Sequence, residues 1–254
     1  LLLSSAASDV YKRQLLMLSC SGIINSRFEL PQLEQYFNFL PYLKIIDTLD
    51  VKIIHMINSI KQKLEQINLI DTTDHKKAGV MIILLQNDND SGIKILFTKR
   101  SSSLSTHSGE VSFPGGKWEE VDKDLYETAL RESNEEINLD TKNLKKLGAL
   151  NYLISRHKIE VHPYVGHLIK NQDFKGNYEI DEIFTVPLEF LMEPENITYN
   201  EFKKNDLKLY IPSWVYNGNK IWGLTAMIAA DFLNICFDAA IKTDFDLIRK
   251  YDEN

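Results

Sequence analysis

Cysteine is nearly missing from this chain: Cys20 and Cys236 are the only two in 254 residues. Two cannot build a disulfide framework, and neither has metal-motif spacing, so both are expected as free thiols. Long apolar runs are also missing. The best candidate, LLMLSCSGII at residues 15–24, is interrupted and falls short of the ~18 residues a membrane span needs. Lys12 and Arg13 precede it as in a signal peptide, but no small-residue cleavage site follows. Positive charge is in deficit, with 29 Lys and Arg against 36 Asp and Glu and a pI near 5.4. That excludes a general nucleic-acid-binding face, whose mark is a basic patch. No repeat, low-complexity segment or C-terminal peroxisomal tripeptide is present. The expectation is a soluble intracellular protein without nucleic-acid or membrane partners. It is cytoplasmic by default, with peroxisome and mitochondrion left open if a targeting segment is missing.

What is present reads as one catalytic domain with an extension, a size able to bury a full core. Residues 1–27 carry no sustained pattern and are expected as an unstructured leader; SSAASDVYKRQ within residues 1–14 resembles translated adaptor sequence rather than native protein. A helical extension over 28–75 follows, then the catalytic domain over 76–245 and a tail over 246–254. Residues 28–49 read as short helices. In 51–70, Ile53, Ile57, Ile60, Leu64 and Ile67 recur four and three apart, as in an amphipathic helix. It is expected to pack on the catalytic domain in preference to a dimerising coil, with a homodimer left open.

Ala78–Leu85 and Ile93–Thr98 read as a hairpin, and Val111–Phe113 as a short strand delivering the chain to Pro114-Gly115-Gly116. Lys146–Leu153 and Val161–Leu168 read as strands, with Pro163 marking an edge or bulge. Leu207–Tyr216 and Lys220–Trp222 form a second hairpin across Asn217-Gly218-Asn219. Trp222 is read as core, and 224–241 as a closing helix with Met227, Ala230, Phe232 and Cys236 inward.

The chemistry concentrates in residues 109–139, GEVSFPGGKWEEVDKDLYETALRESNEEINL. Leu125, Ala129, Leu130 and Ile137 can share a buried helical stripe, which gathers Glu132, Glu135 and Glu136 into one cluster. Like charges at that spacing cost about 0.2–0.5 kcal/mol unless a cation or Arg131 offsets them. Mg²⁺ or Mn²⁺, which takes oxygen ligands and is often held by one or two carboxylates plus substrate phosphates, is the apt cation, with Glu132 and Glu136 as ligands. Glycines at 115 and 116 permit close approach of backbone to phosphate or metal.

The stretch resembles the Nudix box, with Gly116, Asp122, Arg131, Glu132, Glu135, Glu136 and Leu139 in its places. Asp122 replaces the usual Glu and keeps a carboxylate near the metal; Ser133 takes an apolar position and Asn138 the final Gly. The spacing from Gly116 to Arg131 is one residue longer than usual, as in the coenzyme A branch of that family. Leu96-Phe97-Thr98-Lys99-Arg100-Ser101, Leu104, His107 and Gly109 to Gly116 resemble that branch's own motif, and Ile221 to Ala226 another recurrent stretch.

This resemblance implies a Nudix α/β/α sandwich with a mixed sheet, acting with Mg²⁺ or Mn²⁺ on CoA or acyl-CoA to give 3′,5′-ADP and (acyl-)4′-phosphopantetheine. Catalytic residues would be Glu132, Arg131 and Glu135, the last as further metal ligand or water-orienting base positioned by Arg131. Substrate would meet Lys99, Arg100, His107, Gly115, Gly116 and Lys117, with Lys99 and Arg100 reading the 3′-phosphate. One of Glu179, Asp181 and Glu182 could approach the metal. The alternatives are a Nudix pyrophosphatase for a dinucleotide or capped RNA, and a binding module without turnover, which usually lacks box glutamates.

Overall fold

The computed structural model describes residues 40–86, 92–103, 108–204 and 207–243, with backbone alone for 40–51 and 202–209. The chain divides into two compact units, Leu1–Thr48 and Leu49–Asn254; of the first, only the helical backbone of residues 40–48 is described. Within the second, a mixed sheet is assembled around β1 (Lys76–Gln86), the longest strand among the described residues. On one side β1 runs parallel to β7 (Ile159–Leu168). On the other it pairs antiparallel with β2 (Ile93–Arg100) near its end and with β4 (Gly115–Lys117) near its start. β3 (Val111–Ser112) and β8 (Ile180–Pro187) extend the sheet from β2, while β5 (Leu144–Ala149) and β6 (Leu153–Ile154) extend it from β7. A separate three-stranded sheet holds β9 (Thr198–Lys204), β10 (Leu207–Tyr216) and β11 (Asn219–Ile221).

Strand alternation sends successive side chains to opposite faces, and the sheet is covered on both. Ile82, Leu84, Phe97 and Val165 face one core with Ile53, Ile57, Ile60 and Leu64 of helix α1 (Leu40–Glu65). The closing helix α4 (Gly223–Phe237) joins that core through Ala226, Met227, Ala230, Phe232 and Cys236. Met81, Ile83, Leu85 and Leu96 face the other core with Ala129 and Ile137 of α2 (Leu125–Ile137). A short α3 (Leu188–Met192) follows β8. The expected α/β/α layering with a mixed sheet is therefore present. Helix α1 covers residues 40–49 in place of short helices and ends at Glu65, short of the expected residue 70, so that Ile67 lies beyond it, and α4 ends at Phe237 rather than at 241; residues 28–39 lie outside the described ones.

Several sequence readings need correction. Of the two places expected for Pro163, the edge is excluded, since β7 is flanked on both sides, and the bulge holds: the register slips by one residue between Ala149↔Tyr164 and Leu153↔Val161, so that residues 150–152 oppose 162–163. Its missing N–H faces the gap between β5 and β6, where its own carbonyl accepts from Leu150 N at 3.0 Å, so no ladder bond is lost. Trp222 is not core but 43% exposed, because Ile221 before it points inward; Trp214, 1% exposed, fills the core and donates its indole N–H to Leu191 O. The hairpin turn has two residues, Asn217 and Gly218, both at positive φ as a type I′ turn requires. β9 was not anticipated, since TYNEFKK lacks a hydrophobic alternation. Leu125 and Leu130 are half-buried, and Thr128, Ser133 and Glu136 share the buried face of α2 with Ala129 and Ile137. The helix lies so close to Gly79 of β1 that a Cβ there would collide with the Leu125 carbonyl, which leaves room only for small side chains at the contact.

Candidate active site

Helix α2 begins at Asp124, whose carboxylate caps Glu127 N at 2.8 Å. It ends at Asn138, which adopts the left-handed conformation at φ 56°, ψ 41°, so the missing box glycine costs the helix end little. Between these caps the carboxylates are turned toward β4. Glu136 is buried on all but 7% of its side chain, and its Oε2 accepts the Gly115 N–H at 3.1 Å. The carboxylate of Glu132, 19% exposed, occupies the space where a Gly116 side chain would begin. Gly115 and Gly116 thus lie in a strand that presents bare backbone to two acids. Glu135 is further out, its side chain 54% exposed.

Electrostatics follow from that burial. Removal from water pushes the Glu136 carboxyl up to about 7, and Glu132 and Glu179 add repulsion; the Gly115 N–H and Arg100 oppose the shift. Burial also raises Glu132, against the pull of Arg131. The pocket therefore disfavours uncompensated negative charge and calls for a cation.

Arg131 is held chiefly by Asp122. Its Nε meets Asp122 Oδ1 at 2.9 Å and Nη2 meets Oδ2 at 3.0 Å, while Nη1 reaches Glu132 at 3.0 Å and Glu135 at 3.4 Å. Asp122 also accepts from Glu119 N and the Thr128 hydroxyl. Asp122, expected to keep a carboxylate near the metal, clamps the arginine that steadies Glu132 and Glu135. The Arg131 fork, helped by the Glu119 and Thr128 bonds and opposed by burial, holds the Asp122 carboxyl at about 2. A folded-state value below the unfolded ~3.9 means the stabilisation is complete above about pH 4 and is lost as pH falls through about 2; it is worth about 2 kcal/mol. Asp122→Asn should therefore cost about 2 kcal/mol at neutral pH and flatten the stability profile between about pH 4 and 2, as denaturant titrations at several pH values would read.

Of the expected substrate contacts, Gly115, Gly116 and Lys117 border the acids, with the Lys117 side chain exposed and its carbonyl accepting from Arg131 Nη2 at 3.2 Å. Arg100 is brought in as well, with Nη1 3.6 Å from Glu136 Oε1 and Nη2 3.1 Å from Glu179 Oε2. Lys99 is not: it follows the parity of Phe97, faces away from α2, and binds Asn219 at 3.1 Å beside Glu182. His107 lies outside the described residues. Of the three later acids, Glu179 joins Arg100, Asp181 accepts from Ser102 N, and Glu182 holds the hairpin through Asn219. The Asp122 clamp was missed by sequence reasoning, although an acid nine residues before an arginine across a turn was the available signal.

Among the described residues, no three His, Cys, Asp or Glu side chains gather into a ready-made metal cage. One buried and one half-buried carboxylate, both oxygen donors, nevertheless fit Mg²⁺ or Mn²⁺, which usually completes its shell with water and substrate phosphate.

A NUDIX domain model matches residues 75–208, more than half of the chain, and the chain belongs to the Nudix family. It is similar to Nudix hydrolase 15, mitochondrial, of Arabidopsis thaliana, at 39% identity over 170 residues, 64% of this chain and 59% of that protein. It is also similar to the mitochondrial coenzyme A diphosphatase NUDT8 of Mus musculus, at 36% over 139 residues, 53% of this chain and 66% of that protein. The Nudix hydrolase NudL of Pectobacterium atrosepticum is 37% identical over 156 residues, 60% of this chain and 79% of that protein. The chain thus spans 59% of the length of its Arabidopsis relative. No helix among the described residues is long and apolar enough to cross a membrane.

Proposed function

We propose that this protein is a divalent-metal-dependent hydrolase that cleaves the diphosphate of coenzyme A or an acyl-CoA to 3′,5′-ADP and (acyl-)4′-phosphopantetheine. The observation that carries the reading is the pair Glu132 and Glu136, turned from one helix onto the bare backbone of Gly115 and Gly116. The motif in residues 96–116 and the likeness to a coenzyme A diphosphatase support this substrate over other diphosphates.

Glu132 and Glu136 would hold the metal. When bound, Mg²⁺ or Mn²⁺ would offset charge on the bridging diphosphate oxygens and lower the pKa of an attacking water. Glu135, exposed and tethered by Arg131, would orient that water or accept its proton. Arg131 keeps Glu132 and Glu135 in position and is itself fixed by Asp122. Because Lys99 faces the other side of the sheet and Arg100 is shared by two carboxylates, the 3′-phosphate contact is reassigned to Lys117.

The deciding experiment is Mg²⁺-dependent turnover of CoA, dephospho-CoA, a dinucleotide and capped RNA, with products identified by mass. CoA should give the highest kcat/KM, and faster turnover of a dinucleotide would overturn the substrate assignment. Losing one charge-assisted contact costs about 1.5–3 kcal/mol, so Lys117→Ala should lower kcat/KM for CoA by about tenfold or more, and less for dephospho-CoA.

A further inference from the structure

Arg100 is one cation placed between two anions. Its Nη1 stands 3.6 Å from Glu136 Oε1 and its Nη2 stands 3.1 Å from Glu179 Oε2. The other oxygen of Glu136 already accepts the Gly115 N–H, so the oxygen facing Arg100 is the one left for a ligand. The three side chains are 24%, 7% and 30% exposed, and solvent screens their interactions only in part.

The backbone around this group is fixed. Arg100 N donates to Glu110 O at 2.9 Å, Gly109 N to Arg100 O at 3.1 Å, and Ser101 N to Glu179 O at 2.7 Å. Asn177 N donates to the backbone carbonyl of Glu136 itself at 2.9 Å, and Asn177 Oδ1 accepts from Glu179 N at 2.8 Å, so Glu179 is tied to the end of α2. The guanidinium is less committed: its Nε–H, shielded from solvent, has no partner among the described residues. It can therefore redistribute between the two carboxylates without moving a strand.

We infer that Arg100 competes with the divalent cation for Glu136, that Glu179 draws it off, and that this pair sets the protein's affinity for metal. The inference rests on Glu136 being a metal ligand. A dication on Glu136 and a guanidinium on the same carboxylate repel each other in a partly shielded site, so metal binds best when Arg100 leans fully on Glu179. Arg100 is thus a positioning residue acting through Glu136, and the two partners have opposite effects on metal binding.

The test is Mn²⁺ binding by calorimetry and by electron paramagnetic resonance of free Mn²⁺, at pH 8.5 without substrate. Arg100→Met should bind Mn²⁺ about fivefold tighter or more, and Arg100→Lys, which keeps the charge, should stay near the parent. Glu179→Gln should bind more weakly, because Arg100 then has only Glu136, and the double variant should match Arg100→Met. An Arg100→Met protein with an unchanged melting temperature and equal or weaker affinity overturns the inference. So does a double variant weaker than Arg100→Met, which would make Glu179 a ligand in its own right. If Arg100→Met does not fold, Arg100→Gln takes its place, alone and combined with Glu179→Gln, and the same outcomes decide. Glu136→Gln separates the two levels of the argument. Parent-like Mn²⁺ affinity in that variant overturns the metal-site reading itself, whereas lost binding there with an unchanged Arg100→Met overturns only the competition.

Discussion

Glu136→Gln is expected to reduce metal-dependent hydrolysis by at least about a hundredfold while leaving the melting temperature at or above that of the parent. The substitution removes one charge from the most buried carboxylate of the site and keeps its volume. Metal stabilisation of developing charge is worth several kcal/mol, and each 1.36 kcal/mol is tenfold in rate. Stability should not suffer, because burial already penalises this carboxylate and a neutral amide escapes that penalty. Its Oε1 can still accept the Gly115 N–H. Steady-state rates over a Mg²⁺ titration, with thermal melts alongside, check both halves. Parent-like rates at limiting Mg²⁺ would remove Glu136 from the site.

Gly116→Ala should be nearly as damaging to activity, at about ten- to a hundredfold, with little change in stability. The new methyl would land on the Glu132 carboxylate, the movable end of a side chain, so the acid shifts and the fold stays. A displacement of about 1 Å at a reacting centre can cost about a hundredfold. Gly79→Ala is the informative contrast. There the methyl meets the Leu125 carbonyl and the Ala129 amide, both backbone, so α2 must move off the sheet and stability should fall together with activity. If the two variants lost stability equally, the idea that Gly116 serves Glu132 rather than the fold would be wrong.

Local patterns were legible in the residues where a single element decides the outcome. The α2 boundaries, the Asn138 cap and the inward side chains of α1 and α4 follow from periodicity and capping chemistry alone. What escaped depends on pairing between distant strands. Lys99 and Arg100 are neighbours in sequence, yet strand parity sends one to the hairpin and the other to Glu136. Trp222 was misplaced by parity within a hairpin: Ile221, paired with Trp214, turns inward and leaves Trp222 after it on the surface. The Asp122 clamp depends on the path of the loop over residues 118–124, which no periodicity encodes.

The packing of α1 bears on how this protein can be divided. Ile53, Ile57, Ile60 and Leu64 lie in the same core as the central strands, and so do Trp214, Ile221 and the inward face of α4. All of them fall outside the 75–208 stretch that carries the family pattern. The stretch that carries the family pattern is therefore not a transplantable module. A fragment cut to those limits would bare one face of its sheet and is expected to aggregate, so grafting or swapping this domain has to carry both flanking helices with it.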